Sequence, residues 1–464
     1  MARSRRKSAA RMRIGQVSCY THHGAWWVYY REGNRPVRRR VGDTAEEAAR
    51  HAVQVKSQLE AGAPAALSFQ PLSVAVLRRR FLAHHENVLG SSIATVRRYD
   101  AASRYLERFT NGTDVRAHEV CVDDFIAYLR SVRIAPNGHQ HTPRRALRDK
   151  GRRFILEVCR SLYGFAAKKR HLPPYAENPF LGLNQRRVRV QDAKPVFVFD
   201  ARSELAFLQH ADDWAFPINL TLAKTGMRPG ELAHLLIEDV DLEQGWLHVR
   251  NKAELDWRIK TGSERKIPLV AEMVAVLRRV IADRLAGLVF VRKGRQCPRL
   301  VGMTRARLAK SLERQAAERE RELGEPLSRR DFARVARRVW QDAGAIKADL
   351  IRNSFIRITK QIGLAEATCP KSWRHTFATL LQEANVDPLV RQITLGHSPG
   401  FGRQQVLGMT AVYTHTRPET QRAQIVGTLQ LWPESLKLGD RWARVVEPKG
   451  ELPINSPTFA AGEF

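Results

Sequence analysis

The stretch "DWAFPINLTLAKTGMRPGELAHLLIEDV", residues 213–240, decides how the C-terminal half of this chain is read. Its first part is almost wholly apolar and ends at Gly226, the residue type that most easily closes a helix in the left-handed conformation. Two positions on, Arg228 precedes Pro229, and proline suits the first turn of a helix. The stretch predicts an apolar helix, a tight turn carrying Arg228, and a second helix that begins with Glu231 in its first turn. A guanidinium held between two helices is placed to meet an anion.

Working outward, "GWLHVRNK" (245–252) and "RKIPLV" (265–270) read as strands, and "IKTGSE" (259–264) as the turn between them, with Lys260 in it. Further on come "KSWRHTFAT" (371–379), with Lys371, Arg374 and His375, and "LGHSPGFGRQQVLGMTAVYTHT" (395–416), with His397 and Tyr413. A lone tyrosine near a C-terminus is ordinarily a core residue. It gains another meaning from what precedes it.

Composition names the partner. Among 464 residues, Lys and Arg total 78 against 47 Asp and Glu, an excess of +31. Solubility asks for a net charge of only about 2–8 in a small domain. The larger field draws in polyanions, so a nucleic acid is the expected partner. No membrane span is visible, and "MARSRRKSAARMR" lacks the apolar stretch of a signal peptide, so a cytoplasmic, nucleoid-associated protein is expected. Cys19, Cys121, Cys159, Cys297 and Cys369 are scattered without C-x-x-C spacing and read as reduced thiols. Cys19 with His22 and His23 is too small a set for zinc.

Cutting DNA without a metal requires a nucleophile that attacks phosphorus and holds the break as an ester. Cationic clamps must neutralise the non-bridging oxygens, and arginine fits phosphate while staying protonated. An acid must protonate the departing 5′-oxygen, for which a lysine is competent. An imidazole can donate to phosphate or take the phenolic proton. Two arginines, a lysine, a histidine and a tyrosine fill these roles.

In that order and context the segment from about 196 to 430 resembles the catalytic domain of the tyrosine recombinase (phage integrase) family. "TGMRPGEL" is similar to the family's first arginine motif, "KTGSERKIPL" to its lysine hairpin, "KSWRHTFAT" to its second arginine motif, and "LGH…YTH" to its histidine and tyrosine. The resemblance implies that Arg228 and Arg374 clamp the scissile phosphate and that Lys260 is the general acid. It further implies that His397 stabilises the transition state, that Tyr413 forms a 3′-phosphotyrosine, and that Glu231 orients Arg228 or a neighbour. No cofactor or metal is implied. The activity implied is site-specific recombination of double-stranded DNA by a homotetramer on paired sites, with or without accessory DNA-bending or partner recombinase proteins.

Two features depart from the pattern. Lys371 stands where the family usually has histidine, three residues before the second arginine; an ammonium donates to phosphate but cannot accept a proton. His375 is kept out of the catalytic set. The separation of His397 and Tyr413, 413 − 397 = 16, exceeds the family's usual connection, and the extra glycines suggest either a mobile tyrosine or an inert insertion. "GFGRQQ" is no dinucleotide fingerprint, because no strand leads into it.

The flanking segments fit a multidomain, mainly α chain. Residues 1–62 read as a three-stranded β-meander from about residue 14, followed by a helix. They resemble an arm-type DNA-binding domain, with Arg38, Arg39 and Arg40 facing a groove. After a linker, residues 73–185 read as a helical core DNA-binding domain with basic outer faces: Arg97, Arg98, Arg144, Arg145, Arg148, Lys168, Lys169 and Arg170. A second linker, "NQRRVRVQDAKPVFVF", ends near Pro195. Residues 196–432 are the expected mixed α+β catalytic domain with a small β-sheet, and 433–464 a C-terminal tail, partly disordered. The family resemblance implies that the helix expected after Tyr413 docks on a neighbouring subunit.

Rival readings are a type IB topoisomerase, which shares the tyrosine chemistry, a non-catalytic DNA-binding relative, and a metal nuclease. The last lacks clustered acidic ligands around the motifs.

Overall fold

A computed structural model describes the chain apart from residues 1–9, 64, 70, 112–114, 137, 139–140, 174–175, 183–189, 192–194, 294–301, 397–415 and 446–464. His397, Tyr413 and Cys297 therefore lie outside the described residues. The chain divides between Lys194 and Pro195 into two compact units.

The first unit opens with an antiparallel meander of four strands: β1 (Arg11–Ile14), β2 (Val17–His22), β3 (Ala25–Glu32) and β4 (Arg35–Gly42). The sequence reading had three. The strand it missed, "RMRI", alternates basic and apolar residues, and Met12 and Ile14 pack toward the core of this sheet. Helix α1 (Ala45–Glu60) covers that face, with Ala48, Ala52 and Val55 buried along one stripe. Thr44 caps it: its hydroxyl accepts from Glu47 N–H while the Glu47 carboxylate accepts from Thr44 N–H. The middle of the expected linker is tied to the sheet, since the Tyr30 hydroxyl meets Ser68 Oγ at 2.9 Å.

Helices α2 (Val74–Ala83), α3 (Ile93–Thr110), α4 (Val122–Ser131) and α5 (Asp149–Lys168) follow, with a two-residue hairpin, β5 (Arg133–Ile134) and β6 (Arg145–Ala146), before α5. Leu77, Phe81, Leu106, Phe125, Leu162 and Tyr163 form their core. Arg78 is drawn into that core by Asp100, Glu107 and the Ser103 hydroxyl, which supply the partners a buried guanidinium needs.

In the second unit, α6 (Ala201–Gln209) and the fully buried α7 (Ala215–Thr225) lead to the short α8 (Pro229–Leu232). The second helix of the deciding stretch stops early. Beyond it, Leu235 and Ile237 exchange backbone hydrogen bonds with Val289 and Gly287 instead of continuing a helix. The small antiparallel sheet runs β7 (Val240–Asp241), β8 (Trp246–Val249), β9 (Arg265–Pro268), with Val249 opposite Arg265. Helices α9 (Ala271–Ile281), α10 (Arg305–Leu323), α11 (Arg329–Asp342), α12 (Ala348–Gln361), α13 (Lys371–Glu383) and α14 (Pro388–Leu395) complete it with Pro418–Leu429 and Pro433–Arg444.

Two expectations change here. Residues 433–444 are not tail: Leu436 lies in the core and Gly439 lets the helix approach Leu220 closely. Ser435, Leu436 and Gly439 share a buried stripe at helical spacing. The helix Pro418–Leu429 likewise buries Ile425 and Leu429 in its own unit. That apolar side is not left over for a neighbouring subunit.

Candidate functional site: a cationic cleft around Glu231

Helix α7 ends at Gly226, whose φ of +61° and proximity to Phe377 exclude a side chain; a Cβ there would sit 2.4 Å from the Phe377 ring. The turn that follows throws Arg228 out at the start of α8. Glu231 then collects charge. Its carboxylate accepts from Arg228 N–H at 2.9 Å and from Arg228 Nη1 at 2.7 Å, and from Arg265 Nη2 at 2.6 Å. Burial alone would raise this carboxyl, yet Arg265 and Arg228 hold it below the usual range.

Helix α13 is pinned by Trp373. Its ring stacks on Phe199 at 3.9 Å, and its indole N–H donates to Asn219 Oδ1 at 3.0 Å. This fixes the next residue. Arg374 Nη1 donates to Gly226 O at 2.8 Å, and Nη2 to Leu395 O, so one guanidinium caps the C-termini of α7 and α14. Burial lowers its pKa to about 10, and the neighbouring positive charges of Arg228 and Arg265 add to the effect against Glu231. Two guanidiniums thus contact one carboxylate, and a third, that of Arg374, stands close enough to feel its charge.

Arg265 was missed by the sequence reading. It is buried on β9 and also donates through Nε to Thr394 O at 2.9 Å. At Gly396 a Cβ would approach Arg265 Cδ to 2.9 Å, so this turn accepts only glycine beside the arginine. The signal was slight: one arginine on the inward parity of "RKIPL", with a partner 34 positions away in Glu231. Thr261 Oγ1 donates to Gly396 O at 3.2 Å, which ties the lysine turn to the end of α14, next to where His397 follows in sequence.

A cleft of about 370 Å³ is lined by Arg228, Trp257, Lys260, Arg352, Lys371 and Cys369, among others. It unites Arg228, Lys260 and Lys371 from three separate motifs. Lys260 and Lys371 are exposed on its rim; His375, on the next turn of α13, is exposed but does not line it. Behind the cleft His234 lies between Trp257 and Trp340, and burial takes its imidazole down to about 4 although Gly230 O accepts its Nδ1–H. A larger cleft of about 510 Å³ between α10 and α11 holds none of the candidate residues. Its arginines face Glu318, Glu322, Asp331 and Asp342, so its charges largely cancel.

The basic residues proposed for DNA contact divide. In the first unit Arg38 lies over the Tyr29 ring, Arg40 pairs with Asp43, and Arg39 Nε donates to Leu67 O, so Arg39 serves its own fold. Arg98 stacks on Phe154, and Arg145 is half-buried. Arg97, Arg144, Arg148, Lys168 and Lys169 are exposed, and Arg170 reaches Glu32 at 3.3 Å.

Residues 208–420 match the phage integrase family. Over 217 residues the chain is 25% identical to the tyrosine recombinase XerA of Pyrococcus furiosus, covering 46% of this chain and 55% of that relative's length. Among solved structures it is similar to the Tn1549 transposon integrase in complex with transposon right end DNA, at 19% identity and a TM-score of 0.49, over 77% of this chain and 100% of that one. A lambda integrase tetramer bound to a Holliday junction aligns at 14% identity and a TM-score of 0.42, over 85% and 98% of the two chains. Among the described residues no helix is long and apolar enough to cross a membrane.

Proposed function

We propose that this chain, a member of the tyrosine recombinase (phage integrase) family through its residues 208–420, is a site-specific DNA recombinase. The observation that carries the proposal is the grouping of Arg228, Arg265 and Arg374 around Glu231, beside a cleft that also takes in Lys260 and Lys371. Three guanidiniums against one carboxylate leave a local excess of positive charge in a half-buried site. Such a site stabilises an anion whose charge grows during reaction.

The chemistry follows. Arg228, Arg374 and Lys371 neutralise the non-bridging oxygens of one phosphodiester. Tyr413 Oη attacks phosphorus, the bond to the 5′-oxygen breaks, and Lys260 protonates that oxygen. The phenolic proton passes to solvent, because Lys371 as an ammonium has no lone pair. The 3′-phosphotyrosine keeps the energy of the broken bond, so resealing by the 5′-hydroxyl of a partner duplex needs neither metal nor ATP. Strand exchange between two duplexes requires paired sites, for which a homotetramer is the proposed assembly.

The test is a nicked duplex drawn from the DNA bordering the chain's own coding sequence, in which the released fragment diffuses away. The unaltered chain traps a covalent adduct, and Tyr413→Phe traps none. Persistence of the adduct in that variant sinks the assignment of the nucleophile.

A further inference from the structure

The residue that must deliver a proton sits on the connection between β8 and β9, residues 250–264, which buries Lys252, Leu255 and Ile259 but exposes turn residues 260–262. Lys260 is the second residue of a β-turn closed by Gly262 N–H donating to Ile259 O at 2.9 Å. An exposed turn carrying a long side chain has much freedom to lose before proton transfer. The Thr261 hydroxyl ties the middle of the turn to Gly396 O, and one further residue outside the turn holds the backbone at both its ends. Asn251 Oδ1 accepts from Ile259 N–H at 2.9 Å, and Asn251 Nδ2 donates to Gly262 O at 2.9 Å. The same carboxamide therefore holds the first and last residues of the turn that presents Lys260. Asn251 is itself fixed. Its N–H donates to Glu264 Oε1 at 2.8 Å, and its carbonyl accepts from Arg305 Nη2 at 3.2 Å. Arg305 is in turn paired with Glu254 on the same connection.

We propose that Asn251 is a positioning residue for the general acid: by bridging Ile259 and Gly262 it aims Lys260 at the departing 5′-oxygen. This rests on the reading of Lys260 given above. Asparagine suits the task because one planar group offers an acceptor and a donor side by side. Aspartate keeps the acceptor and loses the donor.

The experiment uses the full chain and two nicked duplexes from the DNA bordering its coding sequence. One has an ordinary scissile phosphate; the other has sulfur in place of the bridging 5′-oxygen. In both, the Tyr413 O–P bond forms and the bond to the leaving atom breaks. The sulfur departs as a thiolate that needs no proton, whereas the oxygen must be protonated. Asn251→Ala is expected to slow adduct formation about 100-fold on the oxygen duplex and to react near the unaltered rate on the sulfur duplex. Asn251→Asp should fall between, and decides the matter if Asn251→Ala does not accumulate folded. Equal losses on both duplexes, or no loss, overturn the proposal. Lys260→Ala separates it from the reading beneath. If Lys260→Ala is rescued by sulfur and the Asn251 variants are not, the inference fails alone. If Lys260→Ala is not rescued, the general-acid assignment fails first.

Discussion

Arg265 and Glu231 form an ion pair of 2.6 Å in which both side chains are almost wholly excluded from solvent. The pair joins β9 to α8 and stands directly beside Arg374 and Arg228. Removing one member of a buried pair strands the other, at a cost of about 3–5 kcal/mol. Arg265→Ala is therefore expected to lose stability of that order in denaturant unfolding and to lose DNA cleavage with it. The Glu231 carboxyl is held below its ordinary value, so its stabilisation is complete above about pH 4.5 and disappears as pH falls through the lowered folded value. Glu231→Gln should blunt that acid limb.

Gly226 links the helix end to the phosphate clamp, because its carbonyl accepts from Arg374 and its missing side chain makes room for Phe377. Gly226→Ala combines a left-handed backbone with overpacking, and about 2–4 kcal/mol of destabilisation is expected from the two together. Thermal unfolding measures it. A variant as stable as the unaltered chain would show that the turn relaxes freely.

Lys371 is an exposed cation on the rim of the cleft that contains Arg228 and Lys260. If it steadies a phosphate oxygen during attack, Lys371→Ala should slow adduct formation by about 10²-fold or more while binding to the same duplex persists. Lys371→His restores a donor and adds a possible proton acceptor, so it should recover much of the rate. Unchanged cleavage by Lys371→Ala would remove this residue from the site.

His234 supplies a pH effect of defined sign. Its folded value of about 4 lies below the ordinary 6.5, because burial against Trp257 and Trp340 disfavours the charged ring. Between those values the unfolded chain binds more protons. The stability contributed is full above about pH 6.5 and is lost as pH falls toward 4. The melting temperature should drop from pH 7 to pH 5, and His234→Gln should lessen that drop.

Much of this was legible in local sequence. Gly226 as a helix stop, Arg228 at the following turn and Lys260 in a hairpin connection all depend on neighbours a few positions away, where propensity acts directly, whereas Arg374 was legible only through the resemblance of its motif. What escaped depends on contacts between distant segments. The second helix of the opening stretch stopped at Leu232 because its downstream backbone bonds to residues 287–289. Arg265 reads as one more strand cation until Glu231 and Thr394 O are brought to it. The helix Pro433–Arg444 is a different case: its buried stripe was present in the sequence but was set aside as a tail.

The most direct measurement is the mass of the peptide that retains DNA after the adduct is digested with nuclease and trypsin. Cleavage after Arg403 and Arg422, the Arg417–Pro418 bond resisting trypsin, releases residues 404–422, "QQVLGMTAVYTHTRPETQR", whose one tyrosine is Tyr413. The account predicts the nucleotide remnant on this peptide, joined through a 3′-phosphate. A remnant on another peptide, or one joined through a 5′-phosphate, would contradict it.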